Sequence, residues 1–324
     1  MRRWNIRSES FDLARATCAR RKNTNARGRS RPLFLAMFFV LLLFASFHPE
    51  AVLQAESSPG TRPAAPERIL SITPTGTEIL YALGLGDRVV GVTKYCTWPP
   101  EALSKPRIVD MMHVNMEWVV GMRPDLVVIS DMNETLKPSL ESLGYPVVVV
   151  RGSDFGQICE SIPAVGRACG VYERAVELVR QLKARVHELS SGVRSKKAPR
   201  VLVVVGRDPG DPSLKKLYVA GPKSFYNDLL KESRAVNAFS KDVPYAQLSR
   251  EGLLRIDPDV LLELVGEHGS PGVGEKEILS QWRAVKGLSA VKKDRVVIIS
   301  GDFTLRAGPR YPLILEAFIK AIHP

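Results

Sequence analysis

The chain lacks the motifs that announce most catalytic sites. It has no G-x-S-x-G, no G-x-G-x-x-G behind a strand, no P-loop and no H-E-x-x-H. These absences remove the nucleophile-elbow, dinucleotide, nucleoside-triphosphate and zinc-protease signatures. Histidine is scarce: His48, His113, His187, His268 and His323 are scattered. A dedicated zinc or manganese site wants several such ligands with carboxylates close by. Cysteine is scarce too. Beyond the N-terminal 55 residues there are Cys96, Cys159 and Cys169, an odd number that argues against a disulfide framework. Cys159 and Cys169 fall along one helical region, where ten residues of rise separate them by about 15 Å, too far to bridge. No cysteine lies between Arg31 and Gly60, so nothing there supports lipid attachment. Outside the leader there is no Lys/Arg run beside aromatics, and nucleic acid is not expected as a partner.

The charge of +12 is concentrated at one end. Residues 1–31 hold ten Arg/Lys and two acids, which leaves the remainder only mildly basic. Residues 33–47 (LFLAMFFVLLLFASF) follow, an apolar run shorter than the ~20 residues a membrane span needs. A basic arm, a short apolar core and Leu53-Gln54-Ala55 read as a secretory signal, with an uncleaved anchor as the alternative.

Against these absences stands a duplication. Glu117 is followed by Pro124, Asp125 and the apolar run Leu126 to Ile129. Glu251 is followed at the same spacing by Pro258, Asp259 and Val260 to Leu264. Each Glu sits two residues after a good helix N-cap, Asn115 or Ser249. Each copy therefore reads as a capped helix, a Pro-Asp break and a buried strand. Two similar α/β lobes follow, each presenting one carboxylate at an equivalent place.

Strands alternate with helices in the rest of the chain, implying parallel sheets. Strands are expected at 68–72, 89–92, 126–129, 146–150, 200–205 and 296–299. Thr75, Gly76, Thr77 and Glu78 read as a capping box opening a helix to about Leu83. Apolar residues at 171, 175, 178, 179, 182, 186 and 189 form a 3.6-residue stripe, the longest helix, lying between the lobes. The organisation expected is a leader over 1–55, a Pro/Ser-rich linker over 56–66, an N-terminal lobe over 67–170, a connecting helix over 171–193 and a C-terminal lobe over 194–324.

Six stretches resemble one family in its order: RILSITPTGTE (68–78), GVTKYCTWPP (91–100), Asn115 to Glu117, RPDLVVI (123–129), QLSRE (247–251) and DFTLRAGPR (302–310). The chain resembles the helical-backbone (class III) periplasmic binding proteins of ABC importers, in particular members that carry vitamin B12 or ferric siderophores. The resemblance implies a carrier and not an enzyme, with no cofactor of its own. It would work in the periplasm, with a metal chelate (corrinoid first, ferric siderophore or haem second) and an ABC permease dimer as partners. It implies that Glu117 and Glu251 meet arginines of that permease. Tyr95 and Trp98 lie in a Pro-ended loop where an aromatic wall is needed. With Thr75, Tyr245, Asp302, Phe303 and Arg306 they are the expected ligand contacts. Met112 and His113 stand where the B12-binding members place an aromatic, and His113 is a candidate axial ligand to a chelated metal. Arg310 reads as a charge near the start of the final helix. The contrasting reading is a chelatase-like metallo-enzyme, needing a His/Glu pair in the cleft, or a membrane-anchored ligand sensor.

Overall fold

A computed structural model describes residues 65–109, 114–194, 197–207, 213–266 and 274–324. The leader, its apolar segment, Met112 and His113 lie outside the described residues. Residues 65–324 form one compact unit. Among the described residues no helix is long and apolar enough to cross a membrane.

The first half runs β1 (Ile69–Ser71), α1 (Pro74–Ala82), β2 (Val89–Thr93), β3 (Arg107–Val109), α2 (Met116–Met122), β4 (Leu126–Ser130), α3 (Lys137–Ser142), β5 (Val147–Val150) and α4 (Phe155–Ala168). Helix α5 (Tyr172–Ser191) crosses to the second half: β6 (Arg200–Arg207), β7 (Leu217–Ala220), α6 (Phe225–Glu232), β8 (Val236–Asn237), β9 (Tyr245–Leu248), α7 (Arg250–Ile256), β10 (Val260–Val265), α8 (Glu275–Arg283), α9 (Ser289–Lys292), β11 (Val296–Ser300) and α10 (Tyr311–Ile322).

The first sheet has the order β3-β2-β1-β4-β5 and is parallel throughout. The second, β11-β10-β6-β7-β9 with β8 beside β6, is mixed, which corrects the expectation of two parallel sheets. Its β11, β10 and β6 are parallel, but β7 runs antiparallel to both β6 and β9. The connection from Arg207 to Leu217 is too short for the crossover that a parallel neighbour requires, so the chain folds back as a hairpin.

The repeated Pro-Asp is a bracket that holds helix to strand. In the first half the Asp125 carboxylate accepts the backbone N–H groups of Glu67 (2.7 Å) and Arg68 (2.8 Å). The Arg68 guanidinium donates to the carbonyls of Met122 and Arg123, the orphan end of α2. In the second half Asp259 accepts the Arg200 N–H (3.0 Å), and the Arg200 guanidinium donates to the carbonyls of Ile256 and Asp257. Both helices end on a left-handed residue just before the proline, Arg123 at φ 45° and Asp257 at φ 42°.

Helix α5 begins against the first half, where Arg174 Nη1 donates to the carbonyl of Leu83 at 2.5 Å. Gly166 of α4 lets it approach, since a Cβ there would collide with that of Ala175. It ends against the second half, where Ser190 Oγ meets Glu232 at 2.5 Å, and Arg185 faces Glu316 of α10 at 3.6 Å. Cys159 and Cys169 are free and buried in and just after α4, and Cys96 is free and buried as well.

Candidate functional site

The two halves meet at the carboxyl ends of their strands. The segment that leaves β11, residues 301–310, reaches across to the loops that follow β1 and β2. Thr75 Oγ1 donates to the carbonyl of Ala307 at 2.9 Å, and Thr97 Oγ1 donates to Asp302 at 3.2 Å. In open α/β sheets this end is where ligands bind.

At the centre of the junction is a buried ion triad. Arg310 donates through Nε (3.0 Å) and Nη2 (2.5 Å) to the carboxylate of Glu78 on α1. It also donates through Nη1 (2.8 Å) and Nη2 (3.0 Å) to Asp302. The side chains of Arg310 and Glu78 are 4% and 3% exposed, so this is a desolvated fork across the junction. Burial pushes the Glu78 carboxyl above the ordinary glutamate range against the pull of Arg310. Burial also pushes Asp302 upward, but the bonds from Arg310 outweigh it and hold Asp302 below the aspartate range. The guanidinium lies 5.0 Å from the centre of the Trp98 ring and so occupies one face of that indole.

The triad corrects two sequence readings. Thr75 and Glu78 are not a capping box: α1 starts earlier, with Thr73 at the N-cap position and Pro74 inside the first turn. Glu78 has turned from its own helix end to a partner 232 residues away. Arg310, read as a charge near a helix start, is the hub of the junction.

The expected contacts divide into groups. Thr75, Trp98, Asp302 and Arg306 are brought together at the junction. Asp302 spends its oxygens on Arg310 and Thr97. Arg306 donates through Nη2 to Thr97 Oγ1 at 3.2 Å, and its buried Nε has no acceptor. Phe303 is buried in the main apolar core. Tyr95 is exposed, with the Lys94 ammonium 5.0 Å from its ring centre. Tyr245 is also exposed and meets Tyr226 edge-on at 6.4 Å between ring centres. Tyr226 in turn donates its hydroxyl to the carbonyl of Thr304 at 2.8 Å, which links Tyr245 to the junction through one buried ring.

A separate open groove of about 540 Å³ is walled by Ser153, Asp154 and Gln157 from one half and by Lys223, Ser224 and Asp228 among others from the second. None of the expected ligand contacts lines it. The Trp98 ring and the Arg306 and Arg310 guanidinium groups give the junction the stronger claim to ligand chemistry. Among the described residues no cluster of three or more His, Cys, Asp or Glu is placed to hold a metal ion.

Glu117 and Glu251 are both exposed, each the second residue of its helix. The Asn115 side chain accepts the Glu117 N–H at 2.8 Å, and Ser249 Oγ accepts the Gly252 N–H at 3.2 Å. The Glu251 carboxyl is held below the ordinary range by its own backbone N–H and by Ser249.

Comparison with known proteins agrees with this architecture. Residues 69–302 match the sequence profile of the family described as periplasmic binding protein. An uncharacterized ABC transporter substrate-binding lipoprotein of Bacillus subtilis is 29% identical over 286 residues, 85% of this chain and 86% of that protein. The vitamin B12-binding protein of Vibrio cholerae is 26% identical over 252 residues, 77% of this chain and 86% of that one. The crystal structure of the periplasmic vitamin B12-binding protein of Vibrio cholerae superposes with a TM-score of 0.68 at 25% identity, covering 80% of this chain and 97% of that one. An apo periplasmic haem-binding protein from Roseiflexus superposes equally, at 0.68 and 26% identity, over 79% of this chain and 98% of that one.

Proposed function

The chain belongs to the periplasmic binding protein family, and from that premise we propose that it carries one metal chelate, a corrinoid first and haem or a ferric siderophore second, to an ABC permease. Its relatives are binding proteins and not enzymes, so the chelatase alternative is not favoured. The observation that carries the reading is the junction itself. There Trp98 of the first half lies against Arg310 of the second, the Arg306 guanidinium bonds the neighbouring Thr97, and the exposed rings of Tyr95 and Tyr245 lie one on each half. A large, partly apolar planar ligand needs such walls with a few fixed polar contacts.

The roles we assign follow from what each group already does. Arg310 covers one face of Trp98, leaving the other face for the ligand. Asp302 accepts three hydrogen bonds from Arg310 and Thr97, so its first role is to position the arginine. Arg306 supplies the donor for a propionate, carboxylate or amide oxygen. Glu117 and Glu251 dock on cations of the permease dimer. Exposed pairs of this kind add about 0–1 kcal/mol each but set register and encounter rate.

Fluorescence titration of the purified protein with cyanocobalamin, haemin and a ferric hydroxamate tests the carrier reading. Micromolar or tighter stoichiometric binding of just one, with release of it unchanged, is the expected result; no response to any of the three overturns the carrier reading. Arg306→Gln should weaken that binding about tenfold, the loss of roughly one charged hydrogen bond.

A further inference from the structure

The duplicated helices share a feature that charge docking does not use. Aligned on their glutamates, α2 and α7 bury the same position, Val119 and Leu253, and expose the next, Val120 (47%) and Leu254 (41%). Residues three apart share a helix face, so Val120 lies beside Glu117, and Leu254 beside Glu251. The buried neighbours fix the rotation of each helix, and neither exposed residue belongs to an apolar core. A single exposed aliphatic is ordinary. Two at the same position of a repeated unit, each one turn from an exposed acid, form a pattern.

We propose that Val120 and Leu254 are apolar pads, making each lobe's docking point a two-part knob of one carboxylate and one aliphatic side chain. The inference rests on the docking role of Glu117 and Glu251 and deepens it. The occupant is the permease dimer of an ABC importer, presenting in each subunit a cation with an apolar shelf about one helical turn (~5 Å) away. Charge complementarity selects the cation. The duplication selects a partner with two equivalent subunits, since an isologous pair of sites offers the same chemistry twice. The knobs differ in size: exposed Trp118 enlarges the first, where Gly252 stands in the second. The first lobe therefore makes the larger apolar contact.

The test measures binding of the full protein to the ABC permease complex of the same organism, reconstituted in nanodiscs, at several salt concentrations. Val120→Ser with Leu254→Ser should weaken the complex about tenfold, with an unchanged salt slope, chelate affinity and melting temperature. Glu117→Gln with Glu251→Gln should weaken it and flatten the salt slope. Wild-type binding by the serine variant, while the glutamine variant fails, overturns the pads and leaves charge docking standing. Wild-type binding by the glutamine variant overturns the docking reading and the pads with it. A lowered melting temperature in the serine variant assigns Val120 and Leu254 to folding and overturns the pads. Val120→Ile with Leu254→Met, which keeps an apolar side chain of similar size at both places, is the control: near wild-type binding is expected, and weak binding by this pair counts against the pads.

Discussion

The two lobes are alike on their outer helices and unlike at their junction. Outside, α2 and α7 carry the same acid, the same buried anchor, the same left-handed exit and the same Arg-Asp bracket. At the junction nothing is repeated: the first lobe contributes Thr75, Glu78, Thr97 and Trp98, and the second contributes Asp302, Arg306 and Arg310. A repeated surface suits a partner that is itself a symmetric pair. An unrepeated junction suits a ligand without such symmetry. On the function proposed above, the difference separates the residues assigned to a membrane complex from those assigned to a small molecule.

The strongest way to break this comparison is to reverse both acids. Glu117→Arg with Glu251→Arg should abolish uptake of the chelate in cells, while titration of the purified protein stays as in the wild type. Lost ligand binding would mean that the outer helices also shape the junction. Next in size is Arg310→Met, which strands Glu78 and Asp302 as buried acids. Urea unfolding should show a loss of about 3–5 kcal/mol, as for other buried pairs broken on one side. The repeated bracket offers a matched pair. Arg68→Ala and Arg200→Ala each remove two helix-end hydrogen bonds and should each cost about 1 kcal/mol of unfolding free energy. Clearly unequal losses would show that the brackets are equivalent in geometry but not in energetics.

The smallest effect is on pH dependence, where the two junction acids act with opposite signs. Asp302 has a lowered pKa, so its stabilisation is complete above the ordinary aspartate value and is lost as pH falls through the depressed one. Glu78 has a raised pKa, so the folded state holds its proton more tightly and gains relative stability as pH falls through that value. Melting curves between pH 6 and 3 should thus show a shallower acid loss for Asp302→Asn and an earlier one for Glu78→Gln.

Local pattern carried much of this structure. The Glu-to-Pro-Asp spacing predicted α2, β4, α7 and β10, because caps, breakers and apolar runs act over a few residues. The stripe from Val171 to Leu189 predicted α5, whose ends touch opposite halves. What the sequence hid was long-range. Thr75 and Glu78 fit a capping pattern that Thr73 and Pro74 pre-empt, and the true partner of Glu78 is far along the chain. Arg310 was unreadable for the same reason. The antiparallel pairing of β6 and β7 escaped because the Pro/Gly/Asp stretch after Arg207 marks a turn without fixing the direction of the strand that follows. Phe303 entered the expected contacts with the stretch 302–310 that carries the family resemblance, and its ring packs in the core.

One mechanical consequence follows from Arg310. Helix α5 is a first tether between the halves, and the Glu78–Arg310–Asp302 fork, fixed at the head of α10, is a second. Further links join the same halves, Thr75 to Ala307, Thr97 to Asp302 and the Phe155–Tyr311 ring stack, so the two are fastened at several places. Any parting of the halves must first break a desolvated ion pair, so the expected opening is small.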